Sequence, residues 1–263
     1  MKKSKLGVIG GMGPKATSVF FDRVIEFTEA EADQDHIDMI ILNHASLPDR
    51  TSSILERKDQ QFLRLIQADI ALLEHAEVST IVMPCNTAHR FFNEIQAMSA
   101  IPIVNMVRET AEELLAKHKE NRKIGILATD ATLQTGIYSD VLQQYGLEPF
   151  IPSPSMQQRI MSIIYEDIKK TGHSDDRVLE GVITEMIQRE KCDGVVLACT
   201  ELSCIKLGES VRPYFVDALD VLVHRSITLS GGRIKPALVE RLFIEKSCIP
   251  ITRLIIKTHI ARK

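Results

Sequence analysis

Short apolar runs alternate with longer helical stretches along most of this chain, and that order restricts the fold more than any single residue does. Parallel strands need a crossover between them, usually a helix, so the alternation specifies a parallel α/β sheet. The runs predicted as strands cover residues 5–10, 38–43, 80–84, 103–105, 123–128, 148–151 and 194–198. Helices are predicted over 16–31, 55–74, 107–118, 136–145, 156–170 and 175–189. In the first helix Val19, Phe20, Val24 and Phe27 form one apolar stripe at helical spacing.

The pattern occurs twice. Gly7-Val8-Ile9-Gly10-Gly11 opens one half and Lys123-Ile124-Gly125-Ile126-Leu127 the other. From these strands the chain reaches Cys85 and Cys199, respectively, after similar lengths, and each cysteine ends an apolar run. Two α/β lobes are therefore expected, with strand ends facing across a cleft. Residues 1–106 form the first lobe, 107–211 the second, and about 212–236 return to the first. The segment 237–263, basic and apolar by turns, is an extension without an assigned role.

With 263 residues, 44% of them hydrophobic and 25% charged, the chain has an ordinary globular composition. A net charge of -3 and the lack of basic clusters argue against nucleic acid as a partner. No run approaches the ~18 apolar residues that a membrane span needs. The basic head Met1-Lys2-Lys3 precedes an apolar stretch broken by glycines and stopped by Pro14, which reads as a first strand rather than a signal peptide. Five cysteines without Cys-x-x-Cys spacing indicate neither a disulfide framework nor a metal site, and a cytoplasmic setting fits them.

Cys85 is followed by Asn86-Thr87 and Cys199 by Thr200-Glu201. These are helix-capping types, so each sulfur is expected near exposed helix N–H groups. Such partial positive charge draws a thiol pKa from about 8.5 toward neutrality. Cys192, Cys204 and Cys248 have no such context. His89, one helical turn beyond Cys85, either tunes the thiolate or is a structural histidine. The turn Gly10-Gly11-Met12-Gly13-Pro14 joins a strand to a helix and either binds a small anion or is only a tight turn. It lacks the acidic partner of a dinucleotide site and the Lys-Ser/Thr pair of a P-loop. The loop Ser46-Leu47-Pro48-Asp49-Arg50-Thr51 carries Arg50, whose planar fork suits a carboxylate.

On these residues the chain resembles the aspartate/glutamate racemase family. The matching segments are Gly10-Gly11-Met12-Gly13-Pro14, Pro48-Asp49-Arg50-Thr51, Pro84-Cys85-Asn86-Thr87-Ala88-His89, Leu127-Ala128-Thr129 and Ala198-Cys199-Thr200-Glu201-Leu202. The resemblance covers about residues 5–236. It implies two flavodoxin-like lobes with parallel sheets related by pseudo-two-fold symmetry, an active site in the cleft between them, and a homodimer. It also implies an acidic amino acid as substrate, no cofactor and no metal. Cys85 and Cys199 then act as the two acid/base groups. Met12, Arg50, Asn86, Thr87, Thr129, Thr200 and Lys169 bind substrate, with Glu201 and His89 in support. One departure is Ala128-Thr129-Asp130-Ala131-Thr132, where relatives commonly carry Thr-x-Gly-Thr.

Other chemistries on the same scaffold fit less well. Arylmalonate decarboxylase needs one proton donor, whereas two matched cysteines are present. Hydantoin racemase leaves Arg50 without a distal carboxylate. Maleate isomerase is set aside by the closer motif match. A Cys-His hydrolase leaves the second strand-end cysteine unused, and a non-catalytic binder of small acids, or a relative that has lost activity, is disfavoured because nothing catalytic is visibly missing.

Overall fold

A computed structural model of the chain describes residues 4–118 and 122–236. Two parallel sheets organise it. In the first, β1 (Leu6–Gly10), β2 (Met39–Asn43) and β3 (Thr80–Val82) run in the order β2-β1-β3. In the second, β4 (Lys123–Leu127), β5 (Glu148–Phe150), β6 (Gly194–Leu197) and β7 (Phe215–Asp217) run β5-β4-β6-β7. The shared order is the structural form of the sequence echo: Gly7 pairs with Ile81 on the way to Cys85, and Gly125 with Val195 on the way to Cys199. The fold is α/β with two lobes, as expected.

The first lobe carries α1 (Pro14–Phe27), α2 (Arg50–Leu55), α3 (Asp59–His75) and α4 (Phe92–Ala97). Next come α5 (Met106–His118), α6 (Asp130–Gln134), α7 (Ile137–Gln144), α8 (Pro154–Ser162) and α9 (Asp176–Gln188), and α10 (Ala218–Leu229) closes the described chain. Helices cover both faces of each sheet, so successive strand residues enter different cores. Ile9 and Ile81 pack with Phe62, Ile66 and Ile70 of α3. Leu6, Val8 and Val82 pack with Phe20 and Val24 of α1 and Leu222 of α10. In the second lobe Val195 and Leu197 meet Ile160 of α8 and Val182 of α9, while Val196 meets Leu114 of α5 and Leu142 of α7.

Several expectations are corrected. The first helix stops at Phe27 rather than continuing to 31, because Thr28 turns extended and bridges Ile234, while the Lys235 N–H donates to the Phe27 carbonyl. Tertiary pairing overrides helical propensity there. The helix expected over 55–74 is two, broken after Leu55 at a turn where Arg57 adopts φ 56°. The strand expected at 103–105 shrinks to one bridge between Ile81 and Ile103, since the Asn105 carboxamide accepts the Val107 and Arg108 N–H groups and starts α5. The strand at 215–217 has no counterpart in the sequence reading.

Of the segment assigned to the first lobe, 212–236, the strand β7 adds to the second sheet, whereas α10 packs Leu219, Leu222, Val223 and Ile227 into the core under β1. The extension 237–263 lies outside the described residues. Among the described residues no helix is long and apolar enough to cross a membrane.

Candidate active site

In each sheet one neighbouring pair of strands, β1/β3 in the first and β4/β6 in the second, is where the chain's direction of winding reverses. Loops leaving the carboxyl ends of such a pair diverge and open a crevice. Cys85 and Cys199 lie in the loops that leave β3 and β6, so the fold brings them to equivalent crevices. Both are buried, and both line one small cavity between the lobes. Met12, Arg50, Asn86, Thr87, Thr129, Lys169, Thr200 and Glu201 line it as well. Of the residues singled out from sequence only His89 is absent from its walls. At about 10 Å³ the cavity has room for roughly one water molecule. A cleft of about 470 Å³ adjoins it and shares Asp49, Arg50, Lys169 and Glu201 as lining.

The glycine turn has a structural job. Gly11 adopts φ +86°, and a Cβ there would lie 2.4 Å from the His44 carbonyl carbon, so only glycine fits. Its N–H donates to the Thr17 hydroxyl at 2.9 Å and is not available to an anion. The turn thereby presents Met12 to the cavity.

Arg50 is not on a loop but is the first residue of α2. Asp49 caps that helix by accepting the Ser52 N–H at 3.0 Å, which draws the following residues into helical form. One terminal nitrogen of Arg50 donates to the Pro48 carbonyl at 2.8 Å, and its Nε is buried without a partner.

The expected helix caps beyond the cysteines are also corrected. A short 3₁₀ segment, Thr87–Phe91, follows Cys85, and another, Leu202–Cys204, follows Cys199; neither receives a side-chain cap. Pulling a thiol pKa downward by helix N–H groups is outweighed here. Burial pushes the Cys85 thiol above its ordinary value; the Arg50 guanidinium pulls down, Glu201 pushes up, and the Ala88 N–H pulls down. Burial raises Cys199 further, and the neighbouring Glu201 carboxylate adds to the rise through charge and through a hydrogen bond. The Cys199 Sγ–H donates to Glu201 Oε2 at 3.0 Å, while Glu201 Oε1 is buried without a partner.

His89 is the structural histidine of the two readings. The Met106 N–H donates to its Nε2 at 3.1 Å, so the proton sits on Nδ1, which donates to the Cys85 carbonyl at 2.9 Å. Burial lowers its pKa and keeps it neutral. It holds the backbone of Cys85 and does not touch the sulfur cavity.

Hydrogen bonds across the lobes tie the cavity together. Thr87 Oγ1 meets Thr132 Oγ1 at 2.9 Å and Thr129 Oγ1 at 3.2 Å, and the last two meet at 3.1 Å, a buried triangle of hydroxyls. Ala131 stands where the usual family pattern has glycine, yet Thr132 still joins Thr129 in this cluster. The Tyr138 hydroxyl donates to Asn86 Oδ1 at 2.5 Å, leaving Asn86 Nδ2 buried and unpaired. Thr200 Oγ1 donates to the Pro84 carbonyl at 3.2 Å.

Lys169 lies on a π-helical turn, Ile163–Lys169, that continues α8. Its ammonium reaches Asp49 at 3.0 Å and covers the Tyr165 ring at 4.1 Å. Burial lowers its pKa, but Glu201, Tyr165 and Asp49 together hold it above the ordinary lysine value. Burial likewise raises Asp49, yet the Ser52 N–H and Lys169 bring it below the usual carboxylate range. Sequence alone assigns no role to Asp49 or Tyr165: Asp49 stands inside the matching segment Pro48-Asp49-Arg50-Thr51 without an assigned function, and Tyr165 lies four residues before Lys169 with no motif of its own.

No group of three or more His, Cys, Asp or Glu side chains among the described residues could hold a metal ion. The cysteines described are free thiols.

Comparison with known proteins agrees with this architecture. The family model described as Asp/Glu/Hydantoin racemase matches residues 9–225. A broad-specificity amino-acid racemase of Bacillus subtilis is 31% identical over 205 residues, covering 76% of this chain and 86% of that protein. The aspartate racemase of Picrophilus torridus superposes with a TM-score of 0.76 at 31% identity, covering 90% of this chain and 97% of that one. A glutamate racemase of Campylobacter jejuni, at 18% identity and a TM-score of 0.58, shares the fold. With both strand-end cysteines and their surrounding loops inside the matched region, the chain belongs to the Asp/Glu/hydantoin racemase family.

Proposed function

We propose that the protein interconverts the enantiomers of an acidic amino acid, aspartate or glutamate, by a two-thiol mechanism that needs no cofactor. The observation that carries this reading is the cavity shared by Cys85 and Cys199 with three buried, unpaired polar atoms: Arg50 Nε, Asn86 Nδ2 and Glu201 Oε1. Buried polar atoms without partners are costly in a native fold, so a ligand that pairs them is favoured. Two donors and one acceptor suit carboxylate oxygens and an ammonium group. We assign the distal carboxylate to Arg50 and Lys169, and the α-carboxylate to the donors around Asn86, Thr87, Thr129 and Thr200.

In the reaction one cysteine as thiolate takes the Cα hydrogen, and the other as thiol delivers its own to the opposite face. The amino acid is inverted, and the two sulfurs have exchanged protonation states. Cys85 is the readier thiolate, because Arg50 pulls its pKa down whereas Glu201 pushes that of Cys199 up. Glu201 can accept the Cys199 proton through the 3.0 Å bond and return it. Excluding water strengthens these dipoles against the charge that develops at the substrate. A cavity with room for one water is smaller than any amino acid, so the lobes part to admit substrate, and the Asp49–Lys169 contact is the bridge that opens. A homodimer is proposed from the resemblance, and sedimentation tests it.

The test is a chiral assay on purified protein without additives, with solvent deuterium at Cα as a second readout. Inversion of aspartate or glutamate with deuterium incorporated from either enantiomer is expected. Binding without exchange overturns the reading. A wider substrate range is a second reading, favoured by the 470 Å³ cleft beside Arg50 and Lys169 and by the broad specificity for which the Bacillus relative is named. The same assay with neutral and basic amino acids decides it.

A further inference from the structure

A charged cluster behind the Cys199 turn has no part in the chemistry above. Arg23 projects from α1 of the first lobe. Its Nη1 donates to Asp217 Oδ2 at 2.7 Å and to Asp220 Oδ1 at 2.6 Å, both on buried carboxylates at the start of α10. Its Nη2 donates to the Ser203 carbonyl. The Ser203 hydroxyl in turn donates to Asp217 Oδ1 at 2.6 Å, and that oxygen also accepts the Leu219 N–H that begins α10. Arg212 reaches the far oxygen of Asp220 at 3.4 Å. These donors of the guanidinium therefore point at the junction of β7 and α10 or at the turn that carries Cys199.

The turn from Cys199 to Cys204 is closed on itself by Leu202 N–H to the Cys199 carbonyl and Cys204 N–H to the Glu201 carbonyl, each at 3.0 Å. As a compact unit it needs few external anchors, and two hydrogen bonds from the first lobe hold it. Thr200 is tied to the Pro84 carbonyl, beside Cys85. Ser203 is tied to Arg23 of α1. One tie sits at each end of the segment 200–203, so losing the Arg23 tie leaves the turn free to pivot about Thr200.

We propose that Arg23 is a positioning residue: by holding the Ser203 carbonyl it sets the placement of Cys199 and Glu201 relative to Cys85 across the lobe boundary. The proposal rests on the two-thiol reading for its effect on rate, but not for its effect on geometry. A planar fork meeting two carboxylates and a carbonyl cannot be replaced by a single ammonium without losing a partner. Misplacement of a reacting group by about 1 Å can cost up to about 100-fold in rate.

Arg23→Lys keeps the charge that neutralises Asp217 and Asp220, and Ser203→Ala removes only the hydroxyl bond to Asp217. The readout is mass-spectrometric alkylation by iodoacetamide of Cys199 and Cys85 in the same sample, alongside kcat and KM. In Arg23→Lys, Cys199 is expected to react about fivefold faster relative to Cys85 as its turn opens locally. There kcat is expected to fall about tenfold with KM within about twofold. Ser203→Ala, which leaves the carbonyl bond to Arg23 in place, is expected to keep both within about twofold of wild type. Should Arg23→Lys fail to fold, Arg23→Gln, which cannot hold the carbonyl and both carboxylates together, decides the matter by the same ratio. An alkylation ratio within twofold of wild type in a folded Arg23 variant overturns the proposal, as does equal acceleration of both sulfurs. If the wild-type protein shows no racemisation, the two-thiol reading falls while the alkylation ratio still tests the clamp.

Discussion

Cys85 and Cys199 stand at matching places in two sheets of the same strand order, yet their surroundings differ in sign. A guanidinium is the strongest charged neighbour of the first thiol, whereas a carboxylate is that of the second. Beyond Cys85 a neutral histidine holds the backbone carbonyl; beyond Cys199 a glutamate holds the thiol proton itself. A repeated framework has been given unequal electrostatics: burial raises both thiols, and the carboxylate beside Cys199 raises it further, so Cys85 is the more easily ionised of the two. On the proposed mechanism, symmetry of position would supply reaction from both faces of a carbon, and asymmetry of charge would decide where the hydrogen waits.

The strongest way to break this comparison is to remove each sulfur separately. Cys85→Ala and Cys199→Ala should each lower racemisation by about 1,000-fold or more, measured by chiral chromatography, because groups acting as a unit fail together. Near-normal rates in either variant would dismiss the two-thiol assignment.

Arg50→Gln should raise KM for an acidic substrate by about 10–100-fold through loss of a charge-assisted pair. It should also move Cys85 alkylation to higher pH, because a positive neighbour that had favoured the thiolate is gone. Steady-state kinetics and a pH series of alkylation rates check both.

Glu201→Gln should lower kcat by about 10–100-fold, as expected for loss of a proton acceptor. Its titration effect has the opposite sign to that of Arg50→Gln. Removing a negative charge that disfavours the thiolate shifts Cys199 alkylation to lower pH, with a smaller shift of the same sign at Cys85. If the Cys199 profile stays in place, the 3.0 Å contact does not set its ionisation.

The smallest effect is expected from His89→Leu. It leaves the Cys85 carbonyl and the Met106 N–H without their partner, at a cost of about 1–3 kcal/mol in stability by denaturant unfolding. KM should hardly change, since the ring does not face the cavity.

Fold and site differed in how well they could be read beforehand. Apolar runs such as Gly194–Leu197 announce buried parallel strands, because such strands are covered on both faces and need no alternation. Phe215–Asp217 was missed because three residues after Pro213 carry too little pattern, and their pairing with β6 is a tertiary event. The thiols were legible because each ends a strand next to small polar residues. Their electrostatics were not, because burial and the approach of Arg50 and Glu201 depend on segments far apart in the chain. The same holds for Asp49, whose capping role is local but whose bond to Lys169 spans the two lobes. Arg23 looks like any polar position on an amphipathic helix until Asp217 and Asp220 are folded against it.

On the proposed two-thiol reading, the tightness of the chamber around the sulfurs would have a kinetic consequence. The free enzyme would exist in two forms that differ in which sulfur bears hydrogen, and each departing product would leave behind the form suited to the mirror image of the molecule that entered. Until that hydrogen moved back, the empty protein would retain a memory of its last customer, and a turnover rate that falls off at high substrate concentration is the expected sign of this reset.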